Sequence, residues 1–84
     1  MAWLQAHPEA AAPAEQLALY EQRGDHAQAR DSLIQLGMAH RRADAYEPAI
    51  ACLNEALQAS RTMHDARRAA DALYHLGTVA WSNG

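Results

Sequence analysis

The sequence contains no lysine, no phenylalanine and one cysteine, and its β-branched residues are rare. Valine, isoleucine and threonine together occupy five of the 84 positions, whereas alanine occupies 21. Strands need β-branched and aromatic side chains to pack their pleated surfaces, while alanine is the strongest helix former. The composition therefore excludes a sheet protein and predicts an all-α fold, in a chain short enough to form one domain.

An excess of positive charge is also absent. Ten acidic residues oppose seven arginines, which gives a formal net charge of −3. This balance disfavours general binding to nucleic-acid phosphates, so we expect no nucleic-acid partner. No stretch approaches the roughly 20 consecutive apolar residues that a membrane span requires, so we expect no membrane partner either.

Signals of secretion and of enzymatic chemistry are missing. The first 14 residues lack the basic start and unbroken apolar run of a secretory signal. The lone Cys52 has no partner for an internal disulfide, which favours a reducing cytoplasm. The histidines do not pair with carboxylates at the spacing of a helical zinc site, and no base marks Cys52 as a nucleophile. We therefore expect no cofactor, no metal and no enzymatic activity.

The chain is similar to itself at an offset of 40 residues, because Leu36-Gly37 is matched by Leu76-Gly77. Seven of the 28 pairs that align residues 17–44 with residues 57–84 are identical. A recurrence at fixed spacing is the signature of a repeat architecture. The other identical pairs are Leu17 and Leu57, Asp25 and Asp65, Ala29 and Ala69, Asp31 and Asp71, and Leu33 and Leu73.

Apolar residues follow helical spacing in three segments that begin near residues 25, 44 and 65. Asp25 with Gln28, and Asp44 with Glu47, are predicted capping boxes, and Asp65 is a predicted cap without a partner. Pro48 predicts a tight first turn in the middle helix, which should end near Thr62.

Upstream of these segments, residues 14–22 predict a short helix that ends at Gly24. Residues 1–12 predict only weak helix, in which Trp3 and Leu4 either form a small cap or fray. The organisation expected is an N-terminal cap or partial preceding helix over 1–24, a full helix pair over 25–62, and the first helix of a truncated repeat over 63–84.

The stretch from Leu33 to Leu57 resembles the tetratricopeptide repeat family. It contains Leu36-Gly37, a small residue at Ala39, an aromatic at Tyr46 and the closing pair Ala56-Leu57. The period of 40 is similar to the long variant of this repeat, found in bacterial signal-responsive regulators and in kinesin light chain. The resemblance implies antiparallel helix hairpins stacked as a short solenoid fragment, with about four helices and a weak N-terminal helix.

The resemblance also implies a non-enzymatic scaffold that binds a protein or peptide in a groove lined by the first helix of each pair. With arginine, methionine and tyrosine on that side, we expect an extended or helical segment that bears some acidic residues. The groove residues implied by motif position are Asp31, Ile34, Gln35, Met38, Arg41, Arg42, Tyr74, His75 and Thr78.

The last helix has an apolar stripe with no following helix in this sequence to cover it. The alternative function is therefore a structural oligomerisation module that self-associates through this helix, as a homodimer or by helix exchange. A chain that forms part of a larger repeat array remains a further alternative. The self-association residues expected are Leu73, Leu76, Ala80 and Trp81.

Overall fold

The computed structural model describes residues 8–83 for the backbone and 11–82 for the side chains, and this part of the chain consists of helices joined by short turns. The all-α prediction is confirmed, and no strand occurs between residues 8 and 83. The predicted cap of Trp3 and Leu4 lies outside the described residues. The helices are α1 (Pro8–Arg23), α2 (His26–Arg42), α3 (Tyr46–Thr62) and α4 (Ala66–Asn83).

The three turns between these helices share one geometry. Gly24, Asp44 and His64 each adopt a left-handed conformation, with φ of 69°, 59° and 55°. In each turn this residue donates its N–H to the carbonyl three positions earlier, and the next residue donates to the carbonyl five positions earlier. This pair of bonds is the Schellman motif, which satisfies the last carbonyls of a helix. Asp and His tolerate the left-handed region better than most residues, so they replace glycine here.

The predicted capping box at Asp44 is wrong. α3 takes Ala45 as its N-cap, and no side chain accepts a hydrogen bond from its first turn. Asp44 lies one position before this N-cap and is the left-handed residue that ends α2. Its carboxylate accepts a 3.0 Å hydrogen bond from the Tyr46 hydroxyl. Pro48 is the third residue of α3. A backbone N–H at this position would have no partner within the helix, so the proline removes no helical hydrogen bond.

The predicted caps at Asp25 and Asp65 both form. Asp25 accepts from the N–H of Gln28 at 3.2 Å, and Asp65 accepts from the N–H of Arg68 at 3.1 Å. In a capping box the N–H of Asp25 would also donate to the side chain of Gln28. Here it donates instead to the Tyr20 carbonyl in the preceding turn.

α1 is longer than the short helix that the sequence predicts, because it begins at Pro8 and continues through Pro13. A proline at the sixth helical position removes one hydrogen bond from this first part of the helix. α1 nevertheless packs along α2, where Ala14 and Leu17 contact the buried Leu36 and Ala39.

The main core lies around α3, which packs between α2 and α4. Leu53 is fully buried at its centre, and alanines of α3 allow both neighbours to approach closely. Each helix packs chiefly on its neighbours in sequence, and the molecule measures 34 × 31 × 14 Å. The buried core residues are Ile34, Ala49, Leu53, Ala56, Leu57, Ala72 and Val79.

The two helical glycines of the repeat have opposite surroundings. A Cβ built on Gly37 would lie 2.7 Å from Cγ of Leu53 and 3.4 Å from the Ala49 carbonyl oxygen, so α3 approaches α2 at this notch. A Cβ built on Gly77 would meet no atom within 4 Å. The glycine is therefore required by packing in the first copy and not in the second.

This difference predicts opposite effects of the same substitution. Gly37→Ala should destabilise the fold, because Leu53 is fully buried and has no room to move. Gly77→Ala should raise the free energy of unfolding by roughly 0.5–1 kcal/mol, since alanine favours the helix and has space. Urea unfolding at low protein concentration, followed by circular dichroism, measures both. Equal effects of the two substitutions would contradict this packing.

Candidate interaction surface

A shallow cleft of about 320 Å³ lies between α2 and α4. Ile34 and Met38 supply its apolar side chains, and polar side chains from both helices form the rest. Five of the nine predicted groove residues therefore meet in one place. The complete lining is Asp31, Ile34, Gln35, Met38, Arg68, Asp71 and His75.

A second cleft of about 370 Å³ lies between α1 and α2. Asp31 and Gln35 line both clefts, so the two join into one surface that crosses α1, α2 and α4; we call this surface the groove. The additional lining residues of the second cleft are Ala12, Pro13, Gln16, Tyr20, Gln28 and Ser32.

The groove residues of α2 and α4 occupy equivalent positions of the 40-residue repeat. Positions 28, 31 and 35 on α2 are separated by three and four residues, which places them on one helix face. Positions 68, 71 and 75 on α4 repeat that spacing. The groove thus carries two rows of polar side chains, Gln28, Asp31 and Gln35 on α2 and Arg68, Asp71 and His75 on α4.

An ion-pair network fixes the wall of the groove where α2 meets α4. Arg30 is 5% exposed and buries its charge between two carboxylates. Its Nη1 lies 2.9 Å from Oδ2 of Asp65, and its Nε and Nη2 lie 3.1 and 3.0 Å from Oδ1 of Asp31. A buried guanidinium needs such partners, because an unpaired buried charge is strongly destabilising.

Arg68 extends the network into the groove. Its Nε lies 3.2 Å from Oδ1 of Asp31, and its Nη1 donates to Oδ2 of Asp71 at 3.1 Å. The hydrogen bond to Asp71, followed by the charge of Asp31, raises the pKa of Arg68. Asp31 on α2 is thereby bonded to α4, and the polar wall is held in place before any ligand arrives.

The remaining predicted groove residues do not line either of the two clefts. Arg42 is exposed and Arg41 is half-buried near the end of α2. Tyr74 is 71% exposed with its ring edge-on to His75, and Thr78 donates its hydroxyl to the Tyr74 carbonyl at 2.9 Å. Ile34 is in the groove but only 8% exposed, because it is chiefly a core residue.

Arg68 and Asp71 are groove residues that sequence reasoning missed. Asp71 is identical to its repeat partner Asp31, and this identity is the sequence signal that indicates its place in the groove. The ion pairs with Asp31 depend on how closely α2 approaches α4, and helix periodicity carries no information on that distance.

The predicted self-association residues fall on two faces of α4. Leu73 is 50% exposed, Trp81 is 88% exposed, and Ala80 is exposed beside it. Leu76 instead packs against the core cluster, because it projects toward α3. The exposed stripe of α4 therefore excludes Leu76 and passes over Gly77.

The described residues hold no cluster of three or more side chains suited to a metal ion. Among the helices of residues 8–83, none combines the length and apolar character needed to cross a membrane. Cys52 is half-buried on α3 beside Leu36 and Ala39. Burial, followed by the charge of Glu55, raises the pKa of its thiol.

Comparison of the chain with models of protein families, with curated proteins and with solved structures finds no match.

Acid should weaken the fold through Asp65. The Arg68 N–H lowers the pKa of Asp65, burial opposes this, and the charges of Arg30 and Arg68 lower the pKa further. A carboxyl with a lower pKa when folded stabilises the protein above its unfolded pKa of about 3.9, and this contribution is lost as pH falls through the folded pKa. Urea midpoints measured from neutral pH to pH 3 should fall steeply for the native chain and less for Asp65→Asn.

Asp25→Asn is the matched control for this test. Asp25 makes the equivalent cap on α2 but contacts no guanidinium in the described structure, and asparagine caps a helix about as well as aspartate. At neutral pH, Asp65→Asn should destabilise the fold more than Asp25→Asn does. Equal stability of the two variants would show that the bond between Asp65 and Arg30 contributes nothing.

Cys52 should react slowly. Its raised pKa leaves little thiolate at neutral pH, and the side chain is half-buried and so less accessible to reagents. Alkylation by iodoacetamide should be slower in the folded protein than in the same protein unfolded in urea. A folded-state rate equal to or above the unfolded rate would instead identify an activated thiol.

Proposed function

We propose that this protein is a non-enzymatic interaction module that binds an extended segment of another protein in the groove. The observation that carries the proposal is the continuity of the groove, since Asp31 and Gln35 belong to both of its clefts. A surface that crosses three helices suits an extended chain better than a compact small molecule. Its polar rows provide hydrogen-bond donors and acceptors for a peptide backbone.

The charge of the groove indicates which kind of segment it fits. The ion-pair network at its wall holds the three carboxylates of Asp31, Asp65 and Asp71 against the two guanidiniums of Arg30 and Arg68, which leaves one excess negative charge. The acidic segment expected from the sequence relied on Arg41 and Arg42, which lie outside the two clefts. A segment with a basic residue flanked by small or apolar residues is therefore the better fit.

The tetratricopeptide resemblance and a cytoplasmic location belong to the same proposal. The resemblance is supported by turns of one geometry at Gly24, Asp44 and His64 and by the Leu53 contact at Gly37. A half-buried, unpaired Cys52 is compatible with a reducing compartment. Neither point identifies the partner.

Selection from a library of random linear peptides tests the proposal. Peptides that contain arginine or lysine should be enriched on the native protein, and those rich in aspartate and glutamate should be depleted. Gln35→Ala should weaken an enriched peptide by about fivefold, the effect of one hydrogen bond worth about 1 kcal/mol. Fluorescence anisotropy with a labelled synthetic peptide measures the dissociation constant.

Gln58→Ala provides the matched control, because Gln58 is also an exposed helical glutamine but lies on α3, outside the two clefts of the groove. It should leave the affinity unchanged. The proposal fails if no peptide is enriched, or if the Gln35 and Gln58 variants bind the selected peptide alike.

A further inference from the structure

One side of α4 forms an apolar surface that no other described helix covers. Its members are spaced by three, four and seven residues along the helix, and all are exposed. Trp81, at 88% exposure, is the most exposed large apolar side chain of residues 11–82. We call this surface the outer face of α4; it consists of Ala66, Ala70, Leu73, Tyr74, Gly77, Ala80 and Trp81.

The repeat shows what kind of element fits such a face. On α2 the equivalent position, Gly37, receives Leu53 from an antiparallel helix at a Cβ distance that only glycine permits. Gly77 offers the same notch and is open. The outer face is thus shaped for an antiparallel helix that places a large apolar side chain over Gly77.

The outer face is also complementary to itself. Tyr74 and Gly77 are equidistant from the midpoint between residues 75 and 76, and so are Ala70 and Trp81. A two-fold axis at this midpoint would pair two antiparallel copies of α4, with Tyr74 and Trp81 each opposite a small residue. Tyr74 would lie over Gly77 of the second copy, and Trp81 over Ala70.

Charge does not oppose this pairing. Residues 72–83 contain no aspartate, glutamate, lysine or arginine, so two copies bring no like charges together along this stretch. The remaining helices offer a poorer partner for the face, because their exposed residues are mostly polar or charged. A second copy of α4 is the occupant that the chain itself supplies.

We infer that the protein forms a two-fold symmetric homodimer through the outer face of α4. Helix α4 is about 27 Å long, from 18 residues at 1.5 Å each, and the outer face occupies all but its last two residues. One helix pair of this length is a smaller interface than the roughly 800 Å² per partner of a standard stable complex, so we expect weak association, in the micromolar range. The groove lies on another side of α4, at Arg68, Asp71 and His75, and stays open in the dimer.

Sedimentation equilibrium across the micromolar range measures the assembly. The native chain should pass from monomer to dimer and form nothing larger. Trp81→Ala should weaken the dimer by about tenfold or more, because the two-fold pairing buries two copies of this aromatic side chain. Gly77→Gln should do the same by filling the notch, and it should fold normally because a Cβ at Gly77 meets no atom within 4 Å.

Ser82→Ala is the control on α4, because Ser82 is exposed but lies five residues beyond Gly77, about 140° around the helix and outside the outer face; it should leave the dissociation constant of the dimer unchanged. In a Trp3→Phe background, Trp81 is the single tryptophan, and its emission should shift to the blue as the dimer forms. Trp81→Ala should still bind the peptides selected on the groove, so the two proposals fail independently.

Three results would overturn the inference. The first is a monomer at all concentrations up to several hundred micromolar, well above the affinity that such an interface implies. The second is a dimer that Gly77→Gln and Trp81→Ala both leave unchanged, or that leaves Trp81 emission unshifted. The third is growth to trimers and higher species, which indicates head-to-tail association instead of a closed two-fold.

Discussion

A left-handed residue ends each of the first three helices, and the spacing of these residues constrains the whole structure. Gly24, Asp44 and His64 stand 20 positions apart, and the same two hydrogen bonds close each turn. Because each reversal is the same, successive helices have equal room and turn back in the same sense. Equivalent positions of α2 and α4 therefore face the same side of the molecule. The groove and the outer face of α4 are both consequences of this regularity.

Gly37 and Gly77 show how one residue type serves two purposes in such an array. At Gly37 the absence of a side chain lets α3 approach α2, and the fully buried side chain of Leu53 fills the space. At Gly77 the same absence leaves an open notch in an apolar surface. A glycine in an exposed helix interior carries a cost of roughly 1 kcal/mol relative to alanine, which close packing of another helix would offset. The second glycine thus has a physical reason only if something packs there.

Helix periodicity predicts which residues share a face, but not which neighbour covers that face. Periodicity identified the helices, and the capping preference of aspartate identified the caps at Asp25 and Asp65. The five predicted residues that line the groove were implied by the tetratricopeptide resemblance and not by periodicity. Periodicity failed for Leu76, which packs on α3 instead of lying on the exposed stripe, because the direction of approach of α3 is a tertiary property. The capping preference failed at Asp44 because capping and left-handed turns favour the same residue types, and only the closing hydrogen bonds distinguish the two roles.

The two copies of the repeat differ at Arg30, and this difference affects both the groove and the outer face of α4. Its counterpart 40 residues later is Ala70, so the first copy buries a charge where the second presents a small apolar residue. The buried guanidinium holds Asp31 and Asp65, and through them it fixes α4 against α2. The alanine leaves space on the outer face, where the proposed dimer would place Trp81 of a second copy. This one difference between the copies contributes to the polar wall of the groove in the first copy and to the apolar outer face in the second. The proposed peptide binding and the proposed self-association would therefore use separate surfaces.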